Sequence, residues 1–262
     1  MSFYRISEPE ITQFKNDGYI IVDNFLSPEE VKVLVAVSKS NDELLADAGD
    51  RLDKKGKMAR LTIRNTLSND MFSAIVRSRR MVGTMETLLE GEVYHYHHKM
   101  TMKEPKIGGA WEWHQDYGYW YNNGCLYPYM ASCYIAVDKA TKENGCMQLL
   151  KGSHHMGRLE HGIVAGQTGA DVERVEQAKK CQELIYAEME PGAALFFHSN
   201  TLHRSDDNTS DTARWGLICC YNAARNDPYR KHGHPNYSPL EILEDERVLE
   251  VGLVEMKLSG LS

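Results

Sequence analysis

The sequence lacks the features that mark several broad classes of protein. Its 262 residues contain no apolar run of membrane-spanning length, and residues 1–5 lead directly into a charged helix, which is unlike a signal peptide. A formal net charge of −7 at pH 7 has the wrong sign for nonspecific binding to nucleic acid or to an anionic membrane. We therefore expect a cytoplasmic protein that has no nucleic-acid or membrane partner.

Cysteine is also sparse, and its spacing excludes a disulfide scaffold. The six cysteines include no CxxC pair. Cys219 and Cys220 are adjacent, so on a strand they would point to opposite faces and could not easily share a metal. We expect reduced, mostly buried thiols, which agrees with a cytoplasmic enzyme.

The N-terminal third is predicted to be helical with one short strand. Capping boxes at Ser7 and Ser27 begin two helices, Gly18 ends the first, and Tyr19–Val22 reads as a strand. A further helix is expected over residues 78–90. Residues 44–60 contain the densest basic stretch and a glycine, so they are predicted to form a mobile, solvated loop and a candidate lid over the substrate.

From residue 93 onward the pattern changes to short strands separated by turn signals, with a single charged amphipathic helix over 171–181. The predicted strands are 93–101, 130–137, 146–150, 184–189, 193–198 and 214–222. Many short strands with tight turns are typical of a sandwich or a jelly roll. The hydrophobic content of 42% is enough to fill one domain core.

The most informative residues are His114, Asp116, His203 and Arg214. Two imidazoles and one carboxylate make the facial triad that holds iron(II) and leaves its opposite coordination positions open. An arginine shortly downstream could clamp the carboxylate of an organic co-substrate by a bidentate pair. In a strand-like segment, His114 and Asp116 would share one face. Together these residues predict an iron-dependent oxygenase.

Other interpretations of these residues remain open at this point. Zinc also accepts three protein ligands and a water, so a zinc- or manganese-dependent isomerase or hydrolase on a jelly roll is the second hypothesis. A binding protein on the same scaffold is the third. Strand parity would place His95 and His97 on one face and Tyr96 and His98 on the other, which allows a second metal site, although lining and packing roles explain them more simply.

The chain resembles the phytanoyl-CoA dioxygenase family of iron(II)/2-oxoglutarate oxygenases, and within it the ectoine hydroxylases. The matching residues are Phe14 to Tyr19, Asn24 to Ser27, Trp113 to Asp116, Asn144 to Met147, Gly152 to His154, Pro191-Gly192, His203 to Ser210, and Arg214. The resemblance covers nearly the whole chain. It implies a mainly β protein with a double-stranded β-helix (jelly-roll or cupin-like) core over about 93–225, helical support over about 1–92 and a C-terminal tail over 226–262, all in one domain.

The same resemblance implies roles for individual residues. It places His114, Asp116 and His203 on iron, and gives Arg214, helped by Ser205, the C5 carboxylate of 2-oxoglutarate. Thr101 stands where ectoine hydroxylases have asparagine, and Trp111 stands where they have phenylalanine. Both are therefore expected to contact the co-substrate.

On the substrate side, Lys99 replaces an arginine of the ectoine group and Trp120 matches a tryptophan of its pocket. Lys99, His98 and Trp120 are the predicted substrate contacts, and they favour a small polar or anionic molecule. With iron(II), 2-oxoglutarate and dioxygen as cofactors, the expected reaction hydroxylates an unactivated C–H bond and converts 2-oxoglutarate to succinate and CO2. The intact Asp116 favours hydroxylation over halogenation, because related halogenases replace that carboxylate with a small residue.

Overall fold

Antiparallel β-sheet forms the centre of the molecule and helices cover it. The structure is a computed structural model that describes residues 3–41, 44, 46–164 and 166–261. The helices are α1 (Glu8–Asp17), α2 (Pro28–Lys39), α3 (Met71–Arg77), α4 (Arg79–Leu88), α5 (Asp116–Trp120), α6 (Val172–Cys181) and α7 (Arg247–Leu258). Single 3-10 turns occupy Tyr121–Asn123, Ser153–Met156 and Ala224–Asn226.

The strands fall into two large sheets and one separate hairpin. They are β1 (Tyr19–Val22), β2 (Gly49–Leu52), β3 (Met58–Arg64), β4 (Val93–Lys103), β5 (Trp111–His114), β6 (Met130–Ala136), β7 (Met147–Leu150), β8 (His161–Val164), β9 (Gln167–Ala170), β10 (Leu184–Ala187), β11 (Ala194–His198), β12 (His203–Ser205) and β13 (Arg214–Ala223). The first sheet has the order β1-β11-β6-β13-β4-β3-β2 and the second β10-β7-β12-β5, while β8 pairs with β9.

Apolar side chains from the two large sheets pack in one cluster, which includes Leu149 of β7, Phe197 of β11 and Ile218 of β13. The opposite face of the seven-stranded sheet packs against the helices, where Leu34 of α2 and Leu217 of β13 belong to the same buried cluster. Because both faces of this sheet are buried, every residue of β6 and β13 is buried, and their sequences do not alternate between apolar and polar residues.

The predicted helices of the N-terminal third are confirmed, and one further helix there was not predicted. Ser27 accepts a hydrogen bond from the Glu30 backbone, and the Glu30 carboxylate accepts one from the Ser27 backbone. Gly18 ends α1 at φ +82°, where a side chain would lie 2.5 Å from the His154 ring. The helix expected over 78–90 is preceded by a separate helix, α3, because Ser78 is extended between α3 and α4.

The prediction of a mobile loop over residues 44–60 is wrong for the part that the structure describes. β2 and β3 form a hairpin there, and β3 pairs with β4 at the edge of the larger sheet. The charges lie in the turn, where the Asp53 carboxylate accepts hydrogen bonds from the backbones of Lys55 and Lys57, both at 2.8 Å. Ala59 of β3 is fully buried. Residue 45 lies outside the described residues.

The C-terminal segment is more than a tail, because α7 packs on α2 and α3. At Gly252 an added Cβ would lie 2.6 Å from Val33 and 2.7 Å from Met71, so the helices approach closely there.

The strands predicted from residue 93 onward are confirmed within a few residues, whereas β8, β9 and β12 were not predicted. In the described part of the chain, every helix is too short or too polar to cross a bilayer.

Candidate metal and co-substrate site

His114, Asp116 and His203 come together between the two sheets. His114 ends β5, Asp116 is the first residue of α5, and His203 begins β12 directly opposite His114. One potential ligand atom from each side chain lies within 4.8 Å of the others, and among the described residues no other group of three His, Cys, Asp or Glu side chains is so close. The expectation that His114 and Asp116 share one strand is wrong, because the chain changes from strand to helix at Gln115.

The two histidines are held in the tautomer that a metal requires. The His114 Nδ1 lies 2.7 Å from the carbonyl oxygen of Glu112, and the His203 Nδ1 lies 2.9 Å from that of Thr201. A carbonyl oxygen only accepts, so each Nδ1 donates and each Nε2 keeps a free lone pair. Burial lowers the pKa of both imidazoles, which favours the neutral, metal-binding form.

Asp116 is kept as a carboxylate and has a fixed orientation. The Ser132 hydroxyl donates to its Oδ2 at 2.8 Å, while its Oδ1 lies 4.0 Å from both the His203 Nε2 and the Lys99 Nζ. Burial alone would raise the pKa of Asp116. The positive charge of Lys99, followed by the influence of His203, outweighs burial and holds that pKa below its ordinary value.

Gln115 and His161 fasten the segment between the ligands, and sequence reasoning did not identify them as positioning residues. The Gln115 backbone donates to the His161 Nε2 at 2.9 Å, and its buried side chain bonds the backbones of Gly157, Asn200 and Leu159. Gly118 makes room for this arrangement, because a Cβ there would lie 2.1 Å from the His161 ring. In the sequence, the glycine two residues after Asp116 was the feature that could have indicated close packing at this point.

Arg214 is the first residue of β13, and its guanidinium group is only partly satisfied by hydrogen bonds. It is almost fully buried, its Nη1 donates to the Tyr134 hydroxyl at 3.4 Å, and its Nε has no hydrogen-bond partner in the described part of the chain. Gly216 leaves space for the Tyr134 ring, since a Cβ there would lie 2.1 Å from that ring. A buried guanidinium without an acid partner fits an anionic ligand.

The other predicted co-substrate contacts lie on β4, β5 and β12. Thr101 lies on β4 opposite Gly216, to whose carbonyl oxygen its hydroxyl donates at 3.2 Å. Ser205 lies opposite Trp111 on the paired strands β12 and β5. Lys103, which was not predicted, pairs in register with Arg214, and its buried ammonium donates to the carbonyl oxygens of Gly109, at 2.7 Å, and Asp206.

A β-bulge changes which of the histidines on β4 face the site. The register of β4 on β13 shifts at Tyr96, so the predicted alternation of faces is wrong. His95 and His98 lie together, with His95 Nε2 and His98 Nδ1 3.0 Å apart. His98 lines a cavity with Met100 and Leu217, on the helix-covered face of the sheet. The structure therefore places His98 away from the triad.

Lys99 and Trp120, in contrast, lie on the triad side. Trp120 packs against Tyr96 and His97, with ring centroids 5.4 and 5.8 Å away.

Cys219 and Cys220 fill opposite faces of β13, as expected, and Cys220 contacts the Ser132 hydroxyl. All six cysteines are free, and only Cys181 is exposed.

Comparison with known proteins identifies a family and several relatives. Residues 14–216 match the model of the phytanoyl-CoA dioxygenase (PhyH) family. The chain is 30% identical over 193 residues to L-proline trans-4-hydroxylase of Streptomyces griseoviridis, covering 68% of this chain and 70% of that one. It is 25% identical over 234 residues to the ectoine dioxygenase of Stutzerimonas stutzeri strain A1501, covering 82% and 76% respectively.

A similar fold is found in a crystal structure of EctD from S. alaskensis with 2-oxoglutarate and 5-hydroxyectoine. The two structures superpose with a TM-score of 0.74 at 21% sequence identity, over 91% of this chain and 88% of EctD. At this level of identity the similarity demonstrates the fold alone.

Proposed function

Because this chain belongs to the phytanoyl-CoA dioxygenase family, we propose that His114, Asp116 and His203 hold the iron of an oxygenase active site. The protein is an iron(II)- and 2-oxoglutarate-dependent dioxygenase. Its relatives are dioxygenases and hydroxylases, so the alternatives of an isomerase, a hydrolase or a binding protein are not favoured. One observation carries the ligand assignment. The Nδ1 hydrogen bonds leave the Nε2 of both His114 and His203 free to bind a metal, and both histidines lie beside the Asp116 carboxylate.

Bound iron supplies the redox chemistry by which dioxygen oxidises a substrate C–H bond while 2-oxoglutarate is decarboxylated to succinate and CO2. The residues of the chain position the reactants. Two imidazoles and one carboxylate would hold the iron from one side and leave positions open for 2-oxoglutarate and dioxygen. Ser132 holds the Asp116 carboxylate in place through its Oδ2, and Oδ1 lies 4.0 Å from the His203 Nε2.

Arg214 is proposed to bind the far carboxylate of 2-oxoglutarate, with Ser205, Thr101 and Trp111 as further contacts. The support for Arg214 is its nearly complete burial and the unsatisfied Nε. A planar guanidinium can donate two parallel hydrogen bonds to a carboxylate, which positions the co-substrate as well as binding it.

Two proposals concern the molecule as a whole. We infer that the two large sheets form a double-stranded β-helix within one domain. Their shared apolar cluster and the similarity to EctD support this architecture. We also propose that the protein is cytoplasmic, and the free cysteines, five of them buried, support a reducing compartment.

The substrate is proposed to be a small polar or anionic molecule that lies next to Lys99 and Trp120. The Lys99 ammonium lies 4.0 Å from the Asp116 Oδ1, so it provides a positive charge beside the iron. Trp120 is buried in the adjacent aromatic cluster and offers an apolar wall. The hydroxylases among the relatives act on proline and ectoine, which are small molecules.

An anaerobic absorption titration tests the site assignment. Apo protein is titrated with iron(II) and then with 2-oxoglutarate, and a weak visible charge-transfer band should appear only when both are present. Asp116→Ala and His203→Ala should abolish the band, whereas the surface control His155→Ala should keep it. A normal band in either triad variant would overturn the ligand assignment.

A further inference from the structure

A second cluster of histidines lies beside the triad and is formed by two distant parts of the chain. His97 comes from β4, while His232 and His234 come from the segment that follows β13. The His97 and His234 rings stack with centroids 4.7 Å apart, and the His232 and His234 centroids are 5.9 Å apart. Tyr96 packs against both His232 and His234. We call His97, His232 and His234 the histidine cluster.

The segment carrying His232 and His234 is fixed at both ends. The Tyr229 backbone donates to the carbonyl oxygen of Gly124 at 3.2 Å, and the Tyr237 hydroxyl donates to the Glu92 carboxylate at 2.6 Å. The segment therefore has a defined position, in which His234 stacks on His97 of β4.

Hydrogen bonds fix which ring nitrogens of the histidine cluster carry protons. The His234 backbone donates to the His232 Nδ1 at 3.0 Å, so the proton of a neutral His232 is on Nε2. The Asn65 amide nitrogen donates to the Gly233 carbonyl, which turns its oxygen toward the His234 Nδ1 at 2.8 Å. The His234 Nδ1 is therefore the donor, and its Nε2 is an acceptor.

Two buried nitrogens of the histidine cluster have no hydrogen-bond partner in the described part of the chain. They are the His232 Nε2, a donor, and the His97 Nδ1. His97 itself is only 3% exposed. A buried polar atom without a partner destabilises the folded protein, so these nitrogens indicate the binding position of a polar group.

The histidine cluster is neutral at pH 7 and lies next to a cation. Burial, and then the charge of Lys99, lower the pKa of His97 well below its ordinary value. Burial, followed by His232 and Lys99, lowers the pKa of His234 to about 4. Lys99 therefore provides the positive charge, and the imidazoles provide one fixed donor and one fixed acceptor.

We propose that the histidine cluster and Lys99 together recognise a small amino or hydroxy acid as the substrate, a conclusion that rests on the function proposed above. The carboxylate would pair with Lys99 and accept from the His232 Nε2. The amino or hydroxyl group would donate to the His234 Nε2. A simple carboxylic acid leaves that acceptor unsatisfied, and a simple amine leaves Lys99 and the His232 donor unsatisfied.

Matched ligands test this selection in the anaerobic complex with iron(II) and 2-oxoglutarate. The probes are L-valine, its 2-hydroxy analogue and 3-methylbutanoate, together with L-proline and cyclopentanecarboxylate. We expect at least one amino or hydroxy acid to shift the visible band, at roughly one tenth or less of the concentration needed for its partner without that group. Equal or reversed potency within the pairs would overturn the proposal, and so would the absence of any shift.

Substitutions in the histidine cluster test which ring contributes to binding of the acid. His232→Phe keeps a ring but removes the donor, and should raise the half-saturating concentration of the active acid by roughly tenfold. The control His155→Phe replaces an exposed histidine and should behave as wild type. If His232→Phe does not fold, His234→Phe removes the acceptor and tests the same proposal. Wild-type acid binding in a folded variant would overturn it.

Failure of this proposal is distinguishable from failure of the proposed function. The band that forms with iron(II) and 2-oxoglutarate before any acid is added reports the metal and co-substrate site alone. Loss of that band in wild-type protein would contradict the function. A normal band that no acid shifts would contradict only the substrate class.

Discussion

His203 lies directly opposite His114 across the β12–β5 pair, and their ring centroids are 4.1 Å apart. Each ring donates from its Nδ1 to the carbonyl oxygen two residues earlier in the chain. The strand pair therefore sets both the separation of the imidazoles and the nitrogen that each presents. Asp116 enters from the first turn of α5, so one turn of chain completes the ligand set.

Ser132→Ala should weaken iron(II) binding by roughly tenfold, because groups that orient a metal ligand are typically worth 10–100-fold in metal affinity. The variant removes the hydrogen bond to the Asp116 Oδ2. Anaerobic iron(II) titration measures the affinity directly. Ser38→Ala, a change at a buried serine in α2, is the control and should bind iron as wild type does. An unchanged affinity in Ser132→Ala would show that the carboxylate is positioned by other contacts.

Arg214→Ala should raise the half-saturating concentration of 2-oxoglutarate by on the order of a hundredfold, because losing one partner of a buried charge pair costs about 2–5 kcal/mol. Arg214→Lys should restore only part of this affinity, since an ammonium cannot form the bidentate pair. Succinate formation at varied 2-oxoglutarate measures the effect. The exposed Arg174 on α6 supplies the control, Arg174→Ala. If Arg214→Ala kept its affinity for 2-oxoglutarate, the clamp would have to be another residue.

Gly118→Ala should lower the stability and the iron affinity together. Its Cβ would lie 2.1 Å from the His161 ring, so that ring must move and release the Gln115 backbone. Overpacking of this kind typically costs about 1–3 kcal/mol. Urea unfolding and iron titration measure the two effects. Gly162→Ala is the matched control, because nothing lies within 4 Å of its added Cβ. Equal behaviour of the two variants would contradict the packing argument.

The contribution of Asp207 to the free energy of unfolding should depend on pH. Burial opposes ionisation, but hydrogen bonds from Lys57 and Lys55 outweigh it and lower the pKa of Asp207 to about 2. A lowered pKa in the folded state stabilises the protein above the ordinary value near 4, and the stabilisation is lost as the pH falls toward 2.

Asp207→Asn should therefore be less stable than wild type at pH 6, and the difference should shrink as the pH falls below 4. Urea unfolding at a series of pH values provides the measurement. Asp211→Asn, at an exposed carboxylate that pairs with Lys106, should show a much weaker dependence. A difference that stayed constant with pH would mean that Asp207 acts through packing rather than charge.

The grouping of His114, Asp116 and His203 could be predicted from sequence because these residue types occur together at characteristic offsets. The strands could be predicted because turn signals separate them. The β-bulge at Tyr96 could not, since an extra residue changes every face assignment beyond it and leaves no periodic trace. This is why His95 and His97, which were predicted to share a face, lie on opposite faces. His98 was expected beside the substrate together with Lys99, but adjacent residues of a strand point to opposite faces.

The roles of His161, His232 and His234 depend on contacts between distant segments. His161 bonds a backbone group 46 residues away, and His234 stacks on a residue that precedes it by more than a hundred positions. Single-sequence patterns report local periodicity, so such contacts were not accessible. The hairpin β2–β3 was missed for a related reason, because its charged turn dominates the local composition.

Both edges of the seven-stranded sheet end in four-residue strands, β1 and β2. Unpaired strand edges are templates on which other chains can add, and short strands offer few backbone groups for that addition. Next to β2, the turn also carries Lys54, Lys55 and Lys57, and charged side chains beside a sheet edge disfavour the addition of another strand. The architecture that builds the site thus also protects the sheet from edge-to-edge aggregation at high concentration.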